Sequence, residues 1–287
     1  MTAQLMPGGP VADAVLDGLP PRIEALAAAG RRPGLGTILV GDDPASAGYI
    51  RVKQERCAEL GIHSAHRHLG VHASQGDLLD AIEAFNAADE VDAMLVQHPT
   101  PPQIDYEAAL AAMDPDKDAD GLHPLNMGRL ALSMPGPVPC TPAGIEALLA
   151  HYEVPVAGRH VVVLGRGFTL GRPLALLLTQ KRPTANAAVT VVHTGVADWP
   201  EHTRRADIVI AAAGVPGILQ PDHVRPGAVV VGGGVRYEGR RILPDVDEAV
   251  AEVAGWITPR VGGVGPTTVA MLLANTVAAA ERRRAQV

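Results

Sequence analysis

The chain lacks most of what a disulfide-stapled, metal-clustered or nucleic-acid-binding protein requires. Its 287 residues include two cysteines, Cys57 and Cys140, so neither a disulfide framework nor a multi-cysteine zinc site can be assembled. Aromatic residues make up only 3%, so a core has to be built from Ala, Val and Leu. Positive charge is scarce: 24 Lys and Arg face 31 Asp and Glu, for a formal net charge of −7. That balance argues against nucleic acid as a partner. Lysine itself is rare, at Lys53, Lys117 and Lys181 alone. There is no run of eighteen apolar residues, so no membrane span and no membrane partner is expected. The opening MTAQLMPGGP has no basic region followed by an apolar stretch, so no signal peptide is read. What is present, 47% hydrophobic and 19% charged residues, leads us to expect a soluble cytoplasmic protein with one large or two ordinary domains.

Short apolar runs alternate with amphipathic stretches, the pattern of α/β architecture. Strands are predicted at Gly36–Val40, Ala93–Gln97, His160–Leu164, Val189–His193, Asp207–Ala211 and Ala228–Val231. Continuous Val-rich runs suit parallel strands buried on both faces. Helices are predicted at Ser46–Leu60, Asp77–Ala87, Pro142–His151, Leu170–Thr179 and Thr267–Arg283. Four prolines in SMPGPVPCTP (Ser133–Pro142) make a stiff connector and a domain boundary. A second Gly/Pro-rich stretch, Thr258–Pro266, precedes the last helix, which would return the chain to the first domain.

His160–Leu164 runs into GRGFTLGRP, with Gly165, Arg166, Gly167 and Gly171 ahead of a helix. Strand, glycine turn and helix bring backbone N–H groups to a pyrophosphate at a helix N-terminus. The spacing is GxGxxxG, so the turn alone is also compatible with an unliganded α/β domain. The acid expected at the end of the second strand, which would bind the ribose diol of NAD, is replaced by His193 and Thr194. With Arg166 in the turn, this favours NADP, with NAD as the alternative.

In GDDPASAGYIRVKQERCAELG a turn leads into a helix. At ~100° per residue, Ser46, Tyr49, Ile50, Lys53, Cys57 and Leu60 share one face. Lys53 thus lies on the apolar side, with Tyr49 one turn before it. A lysine there either snorkels at the edge of the core or, partly desolvated, gives up its charge more easily and serves as a general acid/base. The Tyr-x-x-x-Lys spacing of short-chain dehydrogenases is set aside, because it lies more than a hundred residues upstream of the glycine turn. DPDKDADG resembles the start of a calcium loop, with Asp116, Asp118, Asp120 and Gly121 in register. Its twelfth position is Met127, where a bidentate Glu is required. The histidines His63, His66, His68 and His72 read as a solvated edge strand rather than a metal site, so no metal is expected.

In order along the chain, the segments GDDPASAGYIRVK, VQHPTPPQID, PDKDADGLHPLNMGRL, PCTPAGI, GRGFTLGRPLALLL, ADIVIAAAG and GGVGPTTVAMLLANT resemble the methylenetetrahydrofolate dehydrogenase/cyclohydrolase family over nearly the whole length. The resemblance implies two α/β domains with a cleft between them, the second a Rossmann-like dinucleotide-binding domain. Residues 1–138 with 267–287 would form the catalytic folate-binding domain and 139–266 the NADP-binding domain. It implies NADP-linked oxidation of 5,10-methylenetetrahydrofolate and hydrolysis of the methenyl product to 10-formyltetrahydrofolate. Alternatives are a homologue that keeps only the cyclohydrolase or uses NAD, or a non-catalytic regulatory homologue.

By the same resemblance Lys53 is the catalytic lysine and Tyr49 its neighbour over the folate. Gln97 positions the lysine and Asp120 binds the pterin ring. Gly262, Gly263 and Pro266 wall the folate site, and Gly165, Arg166, Gly167, Thr194 and Val235 contact the cofactor. A homodimer through the second domain is implied. The chain departs from the family pattern at Gly167, where a serine is usual, at Gly232 for an aspartate, at His98 and Thr100 for two leucines, and at Arg260 and Val261 for Val-Pro.

Overall fold

A computed structural model describes residues 2–238 and 241–285. In chain order its elements begin with β1 (Gln4–Leu5), α1 (Gly8–Asp17), α2 (Pro20–Ala28), β2 (Gly34–Val40), α3 (Pro44–Leu60), β3 (His63–Leu69), α4 (Gln75–Ala87) and β4 (Ala93–Val96). There follow α5 (Tyr106–Ala112), α6 (Pro124–Ala131), α7 (Cys140–His151), β5 (His160–Leu164), α8 (Gly171–Leu178), β6 (Ala188–Val192), α9 (Trp199–Thr203) and β7 (Ile208–Ala211). The last are β8 (Val229–Gly232), β9 (Val235–Glu238), β10 (Arg241–Pro244), β11 (Trp256–Ile257) and α10 (Val264–Ala285). No described helix is long and apolar enough to cross a membrane.

The chain forms two compact units. One takes Ala14–Cys140 and the C-terminal segment from Val269; the other takes the N-terminal segment through Asp13 and Thr141–Thr268. In the first, β3, β2 and β4 form a parallel sheet in that order. Every residue of β2 is buried, while β3 has only exposed and half-buried positions. That is the difference between a central strand and an edge strand whose histidines face water. Helix α3 starts where the Asp43 side chain accepts the Ser46 amide at 2.8 Å, with Pro44 in the first turn. It ends at Gly61 with φ +73.

In the second unit the strands run β1-β11-β8-β7-β5-β6, all parallel. From β5 onward this is the doubly wound order 2-1-3-4-5, whose switch point lies between β5 and β7. Val161, Val162, Val163 and Leu164 of β5 are each 0% exposed, as the continuous apolar run requires. The resemblance implies a folate domain that takes in residues 1–138, but residues 2–13 belong to this dinucleotide unit. Gln4 and Leu5 pair with Trp256 and Ile257, and Met6, fully buried, joins the core around Ile145 and Val161. A two-residue strand has no periodicity to read, and its placement comes from pairing alone.

Of the three lysines, Lys117 has a structural task. It is 3% exposed, and its Nζ donates to the carbonyls of Phe85, Asn86 and Ala88 at 2.8, 2.7 and 2.9 Å. These carbonyls lie at the C-terminal end of α4, where a cation is favoured by the helix dipole; that of Ala88 also accepts the Val91 amide at 3.3 Å. Burial lowers the ammonium pKa and Arg283 lowers it further, while Asp114, Asp92 and Asp89 oppose them. Charge-assisted bonds of this kind each contribute about 1.5–3 kcal/mol. Lys117→Met should therefore lower stability by about 2–4 kcal/mol, since it removes three charge-assisted bonds and strands the carbonyls of Phe85 and Asn86. Urea unfolding checks this; an unchanged midpoint would show the cap to be dispensable.

Candidate active site

The face of α3 read from helical spacing is the buried one. Ser46, Ile50 and Cys57 are 2%, 3% and 0% exposed, Lys53 is half-buried, and Tyr49, at the margin of the face, is 40% exposed. The Lys53 Nζ donates to Gln97 Oε1 at 3.0 Å. Gln97 continues β4, its amide donating to the Ile38 carbonyl at 2.8 Å. Its Nε2 donates to the His98 carbonyl at 2.8 Å, which fixes the orientation of the carboxamide and aims the oxygen at the lysine. Sequence and helical spacing alone leave a snorkelling lysine open; a half-buried, hydrogen-bonded partner favours the other alternative.

Burial holds the Lys53 ammonium below the ordinary lysine value, and the negative charge of Asp120 opposes that drop. In return, burial raises the Asp120 carboxyl, while Lys53 lowers it and Asp118 raises it. Cys57 and Cys140 are neutral thiols here: burial pushes Cys57 up to about 12 and Cys140 well above its usual value. The site thus pairs one amine with one carboxyl, each shifted toward its neutral form by desolvation and toward its charged form by the other.

The turn presenting Asp120 is built by Asp118, whose role in the sequence is easily mistaken for that of a calcium ligand. Asp118 is 2% exposed. Its Oδ1 accepts the Gly121 amide at 2.9 Å, and its Oδ2 accepts the His123 amide at 2.8 Å and Asn126 Nδ2 at 2.9 Å. Gly121 has φ +73, and a Cβ there would lie 2.5 Å from the backbone of Val138 and Pro139, so only glycine fits. The Cys140 amide donates to the Asp120 carbonyl at 3.2 Å. Asn275 Nδ2 donates to the carbonyls of Ala119 and Val138, both at 3.0 Å. Asn275 falls within the segment GGVGPTTVAMLLANT, but no role is read for it there, because the carbonyls it binds come from a distant part of the chain. Asp116 pairs with Arg129, and among the described residues no group of three or more His, Cys, Asp or Glu is arranged to hold a metal ion.

The dinucleotide turn lies in the other unit. Gly165 ends β5 at φ +136, and a Cβ on it would fall 2.0 Å from the Ala212 carbonyl oxygen. A Cβ on Gly171 would fall 2.3 Å from the Gly165 carbonyl oxygen. These two glycines are demanded by the protein's own close packing, whereas Gly167 has nothing within 4 Å. Arg166, Gly167 and Thr194 are exposed, and Val235, at the start of β9, is 40% exposed. His193, which stands where an acid would, accepts the Gly195 amide on Nδ1 at 3.1 Å. Gly232 has its amide donated to Thr258 Oγ1 at 2.8 Å, and Arg260 bonds Glu248 and the Ile242 carbonyl. An open glycine turn at a switch point, an arginine beside it and no acid after β6 fit a phosphorylated dinucleotide.

Gly262, Gly263 and Pro266 belong to this same unit, not to the one that carries Lys53. The Gly262 carbonyl accepts the Gly8 amide at 2.8 Å, Gly263 is buried against Gly8, and Pro266 lies in the first turn of α10. The structure therefore brings Lys53, Gln97 and Asp120 together with Tyr49 one helical turn away, and gathers the glycine turn, Thr194 and Val235 at the carboxyl ends of the second sheet.

Comparison with known proteins adds to this geometry. Residues 6–120 match the catalytic domain of tetrahydrofolate dehydrogenase/cyclohydrolase, and residues 139–284 match its NAD(P)-binding domain. The chain is 64% identical to "Bifunctional protein FolD 1" of Salinispora tropica, over 98% of this chain and 92% of that protein. It is similar to the crystal structure of the bifunctional enzyme FolD from Campylobacter jejuni, with TM-score 0.92 and 39% identity, covering 98% of this chain and 99% of that one. It is likewise similar to the FolD of Trypanosoma brucei complexed with NADP cofactor and inhibitor, with TM-score 0.92 and 36% identity over 99% of both chains. On these matches, the chain belongs to the tetrahydrofolate dehydrogenase/cyclohydrolase family.

Proposed function

We propose that this chain is a bifunctional folate enzyme that oxidises 5,10-methylenetetrahydrofolate with NADP and hydrolyses the resulting 5,10-methenyl cation to 10-formyltetrahydrofolate. The observation that carries the assignment of roles is the half-buried Lys53 amine bonded to Gln97 in the neighbourhood of Asp120. NADP supplies the hydride acceptor when bound. The residues suited to hold it are Gly165, Arg166 and Gly167 at the phosphates, with Thr194 and Val235 beyond them.

In the oxidation, a folate nitrogen lone pair assists departure of hydride from the bridging carbon. No proton is lost, so the protein's contribution is alignment rather than base strength. In the hydrolysis, water adds to the amidinium-like carbon and gives up a proton. The bond to one nitrogen then breaks as that nitrogen is protonated, and one proton is released overall. Lys53 is suited to this traffic because desolvation brings its pKa down toward the working range of an acid/base. Gln97 orients it, Tyr49 lies beside it, and Asp120 accepts hydrogen bonds from the pterin amino group and ring nitrogen. The reading includes a homodimer formed through the dinucleotide unit, where β6 is an edge strand with Val191 40% exposed. It also includes a cytoplasmic location, in keeping with two free, buried thiols.

Absorbance at 340 nm with methylenetetrahydrofolate and NADP, with an acid-quenched control for the overlapping methenyl signal, tests the whole reading. No turnover there, with hydrolysis of added methenyltetrahydrofolate retained, would remove the dehydrogenase half. Lys53→Met should cut cyclohydrolase turnover by about 10²–10⁴-fold while NADPH binding stays at the wild-type level; normal turnover in the purified variant would reject Lys53 as the proton carrier. Asp120→Ala should weaken folate binding by roughly tenfold or more and leave NADP binding alone. Calorimetric titration of each ligand decides this, equal losses for both counting against it. Arg166→Ala should lower the NADP/NAD ratio of kcat/KM, and an unchanged ratio would mean that another group reads the 2′-phosphate.

A further inference from the structure

One buried carboxylate has no part in the chemistry above. Asp245 follows β10 and is 0% exposed. Its Oδ2 accepts the amides of Ala213 at 2.6 Å and Gly214 at 2.9 Å, and the Val215 backbone joins them. The Asp245 amide donates to the Gly234 carbonyl at 3.1 Å, and its carbonyl accepts the Leu219 amide at 3.0 Å. The amides of Gly233 and Gly234 in turn donate to the Ala211 carbonyl at 2.9 and 2.8 Å. One residue thus gathers the loop after β7, the turn after β8 and the end of β10.

The loop after β7 stands at the carboxyl end of a strand flanking the switch point, where a doubly wound sheet holds its ligand, and the turn after β8 stands at the carboxyl end of the next strand. The loop after β7 also backs onto the phosphate turn, since the Ala212 carbonyl oxygen occupies the space beside Gly165. A carboxylate gives shorter and stronger bonds to backbone N–H groups than a neutral acceptor does. Burial raises the Asp245 carboxyl above its usual value and the amides of Gly214, Ala213 and Val215 oppose that rise, while Oδ1 finds no protein partner among the described residues. Gly234 makes room for it: a Cβ there would lie 2.0 Å from Oδ2.

We propose that Asp245 is a positioning residue of the dinucleotide site, clamping residues 213–215 so that the loop after β7 is held against the glycine turn as the surface on which the cofactor lies. This rests on the functional reading above, so wild-type NADPH binding is measured first; its absence would overturn that reading, and this proposal with it. The test is then NADPH titration by fluorescence, KM for NADP, and hydrolysis of added methenyltetrahydrofolate without cofactor, on Asp245→Asn and Gly234→Ala. Asn supplies a weaker acceptor of the same shape, and the alanine methyl displaces the carboxylate from the other side. Both variants should raise the NADPH Kd and the NADP KM about tenfold or more, with cyclohydrolase kcat/KM within about twofold of wild type as a sign that the fold is kept. Unchanged NADPH affinity would overturn the proposal. So would cyclohydrolase activity and unfolding temperature falling together with cofactor binding, because Asp245 would then be a general structural residue.

Discussion

An ammonium is expensive to remove from water, and the folate-binding unit is organised around removing one only part of the way. Lys53 is held on the apolar face of α3, where burial penalises its charge, yet Gln97 accepts its hydrogen bond and the carboxyl of Asp120 favours the cation. Neither influence is allowed to win completely. A fully solvated amine would stay protonated through neutral pH, and a fully buried one without partners would be lost to the fold. The surroundings serve this balance: β2 supports Gln97 through the Ile38 carbonyl, and Asp118 shapes the turn that carries Asp120.

The second unit meets a different constraint, close approach of backbone to backbone. Gly165 and Gly171 are required because neighbouring carbonyls fill the space a side chain would need, while Gly167 is open. Glycines in one motif therefore have two physical meanings. The first and last let strand, loop and helix come together; the middle one has open space where a side chain would project, although its carbonyl accepts the Arg172 amide at 3.1 Å. The usual serine is missing at a position that sets no steric requirement on the fold.

Much of this was legible in the chain because the signals were periodic or sterically strict. The Val-rich runs gave the central parallel strands within a residue or two, and the shared face of Ser46, Ile50, Lys53 and Cys57 was correctly placed on the buried side of α3. What stayed hidden depended on contacts between distant segments. The two-residue β1 pairs with β11 near the other end of the chain. Asp118 looks like an acid in a charged run, and only its three hydrogen bonds show it shaping a turn. Asp245 carries no local pattern, and Asn275, though inside a quoted motif, shows no role there, since the groups they bind are brought to them by tertiary structure.

The scarcity of lysine has a practical side. Lys117 is sealed beneath the end of α4 and Lys53 is half-enclosed, whereas Lys181 is exposed. With arginine supplying nearly all the remaining cations, which acylating reagents leave untouched, amine-directed labelling becomes a selective probe. Apart from the terminal amino group, Lys181 should take the label readily, and any slower uptake reports on the one enclosed amine that ligands would shield.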